Sequence, residues 1–259
     1  MNKKYVFIDM DGTLIDKGNM DILESTKLAI RQAQQNGHTV ILNTGRPPVL
    51  FYFIDKLLGL DSFVACNGRY VVVKGEVIYE DPIPTETIHR LVRFFDDLKI
   101  DIAFESVHDF VLQSQHDVLY KKFSEHFNLQ YPRYEPNYYK SNDIYQVCLY
   151  YNKDDFNKFE KIFPTLSFHF SCKYGLDVNA KGGMKDLGVK KVVEHLNINP
   201  LDTIAIGDGY NDISMIKEAH IGIAMGNAPD AVKKHADLIA NQVGDDAIYH
   251  IFKTLNLIE

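Results

Sequence analysis

Four short apolar runs, each ending on a polar turn that contains glycine, constrain this chain more than any other feature. Tyr5 to Ile8 leads into Asp9-Met10-Asp11-Gly12, Thr39 to Leu42 into Asn43-Thr44-Gly45, Phe63 to Cys66 into Asn67-Gly68, and Thr203 to Ile206 into Gly207-Asp208-Gly209. Apolar runs this short, bounded by such turns, read as buried strands. Glu24 to Asn36 carries Leu28, Ala29, Ile30 and Ala33 at helical spacing and stops at Gly37, and the prolines Pro47 and Pro48 suit a second helix start. Strands alternating with helices predict an α/β fold: a Rossmann-like doubly wound parallel-sheet core. In such sheets ligands bind beyond the carboxyl ends of the strands, where these polar turns lie.

The pattern changes after Asn67. Tyr70 to Val73 and Val77 to Tyr79 flank Lys74-Gly75-Glu76 and read as a hairpin. A helix over Thr85 to Leu98 follows, then strand-like runs at Ile102–Phe104, Phe110–Leu112, Ile144–Tyr151 and Leu166–Ser171. Helical stretches are expected near Val118 to Phe127 and Asp155 to Phe163. From Met184 the first pattern returns, with helices to Leu196, over Ile213 to Glu218 and near Ala231, and a strand at Ile221 to Ala224. The expected organisation is therefore a core made of residues 1–81 and 180–259, interrupted by an inserted α+β domain at 82–179.

A net charge of −7 and a pI near 5.8, with no basic cluster, argue against nucleic-acid and anionic-membrane partners. No apolar run approaches a membrane span, and the four apolar residues before Asp9 are too few for a signal-peptide core. Cys66, Cys148 and Cys172 lack the close spacing of a zinc or redox motif and read as reduced, buried small hydrophobes. A cytoplasmic protein is expected. Oligomeric state is not legible.

The chemistry-bearing residues collect at the turns. Asp9 and Asp11 are two close carboxylates, and a divalent cation would relieve their repulsion. Asp208 and Asp212 add carboxylates on a second turn, Thr44 a hydroxyl and Lys185 an ammonium. Acids with a hard cation such as Mg²⁺, plus a hydroxyl and an ammonium for phosphate oxygens, meet the needs of phosphoryl transfer.

Asp9-Met10-Asp11-Gly12-Thr13, Thr44, Lys185 and Gly207-Asp208-Gly209-Tyr210-Asn211-Asp212 resemble, in order, the four motifs of the haloacid dehalogenase superfamily of phosphohydrolases. The whole chain is similar to the Cof-type members, which carry a large α+β (C2-type) cap between the second and third motifs. The resemblance implies a phosphatase acting on a small phosphorylated metabolite, a sugar phosphate in the first instance. Asp9 would be the nucleophile that forms an aspartyl-phosphate. Asp11 would be general acid for the leaving alcohol and then base for water. Mg²⁺ would be held by Asp9, the backbone carbonyl of Asp11 and Asp208, with Asp212 assisting directly or through water. Thr44 and the amides of Met10 and Gly45 would bind the phosphoryl group, Lys185 would offset its charge, and Asn211 would position the phosphate or the lysine. A sugar phosphomutase of the same fold is an alternative. So is a receiver-like phospho-aspartate regulator, although such modules lack an acid two residues after the nucleophile.

Three positions depart from the family pattern. Relatives commonly read Lys-Gly-x-x-Lys-Gly where this chain has Lys181-Gly182-Gly183-Met184-Lys185-Asp186, so register favours Lys185 over Lys181, and Asp186 replaces glycine. Asn43 and Arg69 stand where small residues are commoner. Asn67-Gly68 is expected at the rim of the site, and Arg69 either in reach of a second anionic group or in a surface salt bridge. Arg46 is expected to brace its loop. Seven tyrosines between Tyr131 and Tyr151 read as sheet packing before a stacking surface. His108, His116, His126 and His169 are assigned no role.

Overall fold

A computed structural model describes residues 2–16 and 21–259. The first part of the chain forms β1 (Tyr5–Ile8), α1 (Glu24–Gln35), β2 (Thr39–Asn43), α2 (Tyr52–Leu58), β3 (Phe63–Ala65), β4 (Tyr70–Val73) and β5 (Glu76–Glu80). Then come α3 (Thr85–Asp97), β6 (Ile102–Glu105), β7 (Phe110–Leu112), α4 (Leu119–His126), β8 (Arg133–Tyr134), β9 (Gln146–Leu149), α5 (Asn157–Ile162), β10 (Leu166–Cys172) and β11 (Gly175–Ala180). The last part adds α6 (Lys185–Leu196), β12 (Thr203–Gly207), α7 (Ile213–Glu218), β13 (Ile221–Ala224), α8 (Asp230–Lys233), β14 (Leu238–Ile239) and α9 (Ala247–Thr254). Residues 46–51 and 81–182 form one compact unit, and the other described residues form another.

The larger unit holds an eight-stranded sheet in the order β14-β13-β12-β1-β2-β3-β4-β5. The six strands from β14 to β3 pair in parallel, and β4 and β5 add an antiparallel hairpin at one edge. The central strand explains why the first turn is a site. Ile8 of β1 stands opposite Leu42 of β2 on one side and Ile206 of β12 on the other, so the three following turns emerge side by side. Phe7, Ile41, Val64 and Ala205 pack with Val189 and Val192 of α6 and Met215 of α7. Val6 and Ile8 point to the opposite face by strand alternation and are fully buried too.

The smaller unit is an α+β sheet in the order β10-β11-β9-β6-β7-β8, antiparallel except where β7 meets β8. Phe104, Val147, Leu149 and Val178 on one face pack against Leu91 and Phe95 of α3 and Phe159 of α5. The other face is apolar where Ala103, Leu112, Cys148 and Tyr150 meet Phe123 of α4. β11 carries polar residues at alternate positions, Asp177 and Asn179, and the apolar-run criterion passes over it; its pairing with β10 extends through Ala180. β8, β14 and α9 were equally silent in the sequence. The tyrosine run is largely core, with Tyr138, Tyr139, Tyr145, Tyr150 and Tyr151 buried and Tyr131 and Tyr134 about half exposed. Cys66 and Cys148 are buried free thiols, but Cys172 is only partly buried, at the bulged end of β10. Among the described residues no helix is long and apolar enough to cross a membrane.

Candidate active site

The backbone that carries Asp9 is held from two directions. Its amide donates to the Ile206 carbonyl (2.9 Å), and the turn beyond folds onto the Met10 carbonyl, which accepts from the amides of Leu14 and Ile15, each at 3.0 Å. Gly12 makes the turn with φ +89°, and a β-carbon there would stand 2.4 Å from a carboxylate oxygen of Asp208. Glycine is therefore required both by the left-handed conformation and by the close approach of the acid.

Asp9, Asp208 and Asp212 converge, with one carboxylate oxygen from each within 4.8 Å of the others. All three are 5% exposed or less. The fully buried Lys185 Nζ lies 2.5 Å from both Asp9 Oδ1 and Asp212 Oδ1. Burial and the neighbouring Asp212 push the Asp9 carboxyl up to about 7, with Asp11 adding to the effect and Lys185 opposing it. Burial also raises Asp212, against the pull of Lys185. For the lysine, burial works against the charged form, yet Asp212 and Asp9 together hold its pKa above the ordinary value. Three carboxylates against one ammonium leave a formal excess of two negative charges in a water-poor recess. A divalent cation with a preference for oxygen ligands fits that imbalance.

Asp212 is the most constrained of the acids. Its Oδ2 accepts from the amides of Asp208 (2.9 Å) and Gly209 (2.7 Å), while Oδ1 takes the lysine. It therefore folds the Asp208 turn and anchors Lys185, which leaves Asp9 and Asp208 the better placed pair for an ion. Asp11 is half-buried, and its carboxylate is not among the three that cluster. Thr44 is buried at the end of β2, its amide donating to the Val64 carbonyl and its own carbonyl accepting from the Asn67 amide. Gly45 lies against Asn67, where a β-carbon would be 3.1 Å from the side-chain oxygen.

Of the two candidate lysines, Lys185 is buried with the acids, whereas Lys181 is exposed and its amide donates to the Thr165 carbonyl. Asp186 turns away from Lys185; it accepts from the Met184 amide (2.9 Å) and pairs with Lys190 (2.9 Å). Asn211 donates to Asn67 Oδ1 at 3.1 Å, and the contact to Lys185 from this turn comes from Asp212 instead. Asn67, beside Gly45 and Asn211, is 1% exposed and in the left-handed region with φ 53°. Of the two alternatives for Arg69, burial rules out the surface salt bridge. The residue is 1% exposed and donates to the Gly183 carbonyl at 2.8 Å, fastening the stretch before α6. Arg46 lies over the Phe127 ring and donates to the Phe127 carbonyl (3.4 Å).

One site residue was legible only as a departure from the family pattern, and another escaped the sequence reading. Asn43, fully buried, donates to the Lys185 carbonyl at 3.2 Å, and its own side-chain oxygen meets no partner among the described residues. Asn227 donates to the Gly12 carbonyl and to Asp208. The signal for the latter was present, because Gly226-Asn227 is one more polar glycine turn just after a strand, β13.

Comparison with known proteins settles the family. The model of the haloacid dehalogenase-like hydrolases matches residues 6–252. This chain belongs to the haloacid dehalogenase-like hydrolases. The provisionally named phosphatase YkrA of Bacillus subtilis (strain 168) is 34% identical over the full length of both chains. The 5-amino-6-(5-phospho-D-ribitylamino)uracil phosphatase YcsE of the same organism is 28% identical, with 95% of this chain and 92% of that one covered. Among solved structures, the subclass IIB sugar phosphatase BT4131 superposes with a TM-score of 0.88 at 28% identity, covering 99% of this chain and all of the other. As a haloacid dehalogenase-like hydrolase with phosphatase relatives along its whole length, the protein is a phosphatase.

Proposed function

We propose that this phosphatase hydrolyses a small phosphorylated metabolite, a sugar phosphate in the first instance, through an aspartyl-phosphate on Asp9 and with Mg²⁺. The observation that carries the reading is the convergence of Asp9, Asp208 and Asp212, with a buried lysine paired to Asp9 and Asp212, at the ends of neighbouring parallel strands. The sugar assignment draws support from the subclass IIB sugar phosphatase among the structural relatives.

Asp9 attacks phosphorus with a carboxylate oxygen, and the bond to the leaving oxygen breaks as Asp11 delivers a proton to it. Asp11, now ionised, takes a proton from water; the water oxygen forms a bond to phosphorus, inorganic phosphate leaves, and Asp9 is restored. Lys185 and the backbone amides of Met10 and Gly45 with Thr44 hold the phosphoryl oxygens. Asn211 and Asn67 support that cradle through their mutual hydrogen bond. Mg²⁺ bound by Asp9, Asp208 and the Asp11 carbonyl would neutralise charge on the phosphoryl group and the attacking carboxylate. Residues 82–179 form the domain that selects the leaving group.

The test is a screen of phosphorylated sugars and other small phosphate esters for phosphate release, with and without Mg²⁺, using Asp9→Asn as the blank. Release that needs Mg²⁺ and falls by at least about a thousandfold in Asp9→Asn is expected; a variant that keeps roughly a tenth of wild-type turnover overturns the nucleophile. Isomer formation without phosphate release would indicate a mutase instead.

A further inference from the structure

Asn227 follows β13 in a turn that the proposed chemistry leaves unused. Both donors of its side chain and its oxygen are engaged. One amide proton goes to the Gly12 carbonyl at 2.9 Å, the other to Asp208 Oδ2 at 3.3 Å, and Oδ1 accepts from the Val243 amide at 2.9 Å. The residue is solvent-exposed overall, so packing does not fix it; these bonds do. The turn beneath it is tight, with the Met225 amide on the Gly207 carbonyl (3.0 Å) and the Gly226 amide on the Asn241 carbonyl (2.9 Å). The same Asp208 carboxylate is confined on another side by Gly12, where even a β-carbon would collide with it. Asn227 thus ties the turn that carries Asp9 and Asp11 to the turn that carries Asp208, and aims one oxygen of Asp208.

We propose that Asn227 is a positioning residue that holds Asp208 and the Gly12 turn in the arrangement that binds Mg²⁺, and so sets the affinity of the carboxylate cluster for the ion. The inference rests on the Mg²⁺ reading above. Partners that orient a metal ligand typically contribute ten- to a hundredfold to affinity, although they never touch the ion.

Calorimetric titration of Mg²⁺ into the metal-free, full-length protein tests it without reference to turnover. Wild type is expected to bind, Asp208→Asn to lose binding, and Asn227→Ala to bind with a Kd raised about ten- to a hundredfold while the thermal midpoint of the metal-free protein stays close to wild type. A purely structural role predicts the reverse, a lowered midpoint with Mg²⁺ affinity unchanged. Binding lost in Asp208→Asn but kept within about twofold in Asn227→Ala overturns this inference alone. If wild type shows no Mg²⁺ binding, the metal reading fails and the inference with it. Should Asn227→Ala not fold, Asn227→Gln, which carries both amide functions one methylene further out, takes its place with the same expected direction and the same overturning result.

Discussion

Lys185 shows how much one residue can hold in place. Among the described residues it is the sole counter-charge within 2.5 Å of both Asp9 and Asp212, and it sits in the first turn of α6 with no exposed surface. Removing one member of a buried ion pair leaves the others without compensation, at a typical cost of about 3–5 kcal/mol. Lys185→Met is therefore expected to lower the unfolding free energy of the metal-free protein, read from urea melts, by an amount in that range and to reduce phosphate release by orders of magnitude. Added Mg²⁺ should recover part of the stability and little of the activity. An unfolding free energy within about 1 kcal/mol of wild type would mean that the two acids are not repelling each other as described. The positions of Asp9, Asp208 and Lys185 were legible from sequence because strand-end turns and motif spacing mark them. The fixing residue Asn43 was not, because its partner is the backbone of a residue 142 positions away, brought near only when α6 docks.

At the scale of the element, the approach of α6 to the sheet decides where that lysine stands. A β-carbon on Gly188 would come within 2.2 Å of Val64 Cγ1 on β3, so the helix packs through its glycine. Gly188→Ala sets two effects against each other. Helix propensity favours alanine by about 1 kcal/mol, and overpacking a tight contact costs about 1–3 kcal/mol. The clash is backed by a β-branched side chain in a strand and should win, giving a lower unfolding midpoint and, because Lys185 opens the same helix, a lower kcat. In the smaller unit, Glu105 on β6 is buried and accepts from Gln146 Nε2 (2.7 Å) on β9. Burial raises its pKa well above the usual carboxylate value, Asp177 raises it further, and Gln146 and Arg46 pull the other way. The folded state thus binds a proton that the unfolded chain has released, so stability falls as pH rises from the ordinary glutamate value toward the raised one. Glu105→Gln mimics the protonated form and removes that dependence. Urea midpoints from about pH 5 to about pH 8 should show the variant gaining on wild type as pH rises; parallel curves would refute it. None of this was legible, since a glutamate at the end of an apolar run gives no sign of the sheet neighbours that bury it.

For the whole molecule, the parallel core could be read from sequence because its strands are continuous apolar runs, each closed by a glycine turn. The smaller unit was legible only as an α+β insertion. Its β11 alternates polar and apolar residues, and its β8, like β14 at the edge of the core sheet, has two residues, too few to carry a pattern. The division into two units has a thermodynamic consequence. Every residue proposed to hold Mg²⁺ (Asp9, Asp11 and Asp208) belongs to the larger unit, and each unit has an apolar cluster of its own. An ion that binds only the folded state stabilises it by RT ln(1 + [L]/Kd), about 2.7 kcal/mol at a hundredfold excess over Kd. In this case the gain is enlarged as protons leave Asp9, whose carboxyl is raised to about 7, so the affinity for Mg²⁺ should increase as pH rises through that value. Scanning calorimetry at about pH 8 should therefore show Mg²⁺ raising the transition that contains the larger unit by roughly 5–10 °C. The shift should shrink toward pH 6, disappear in Asp208→Asn, and leave any separate transition of residues 81–182 where it was. A shift shared equally by two resolved transitions, or one that survives in Asp208→Asn, would place the ion elsewhere in the molecule.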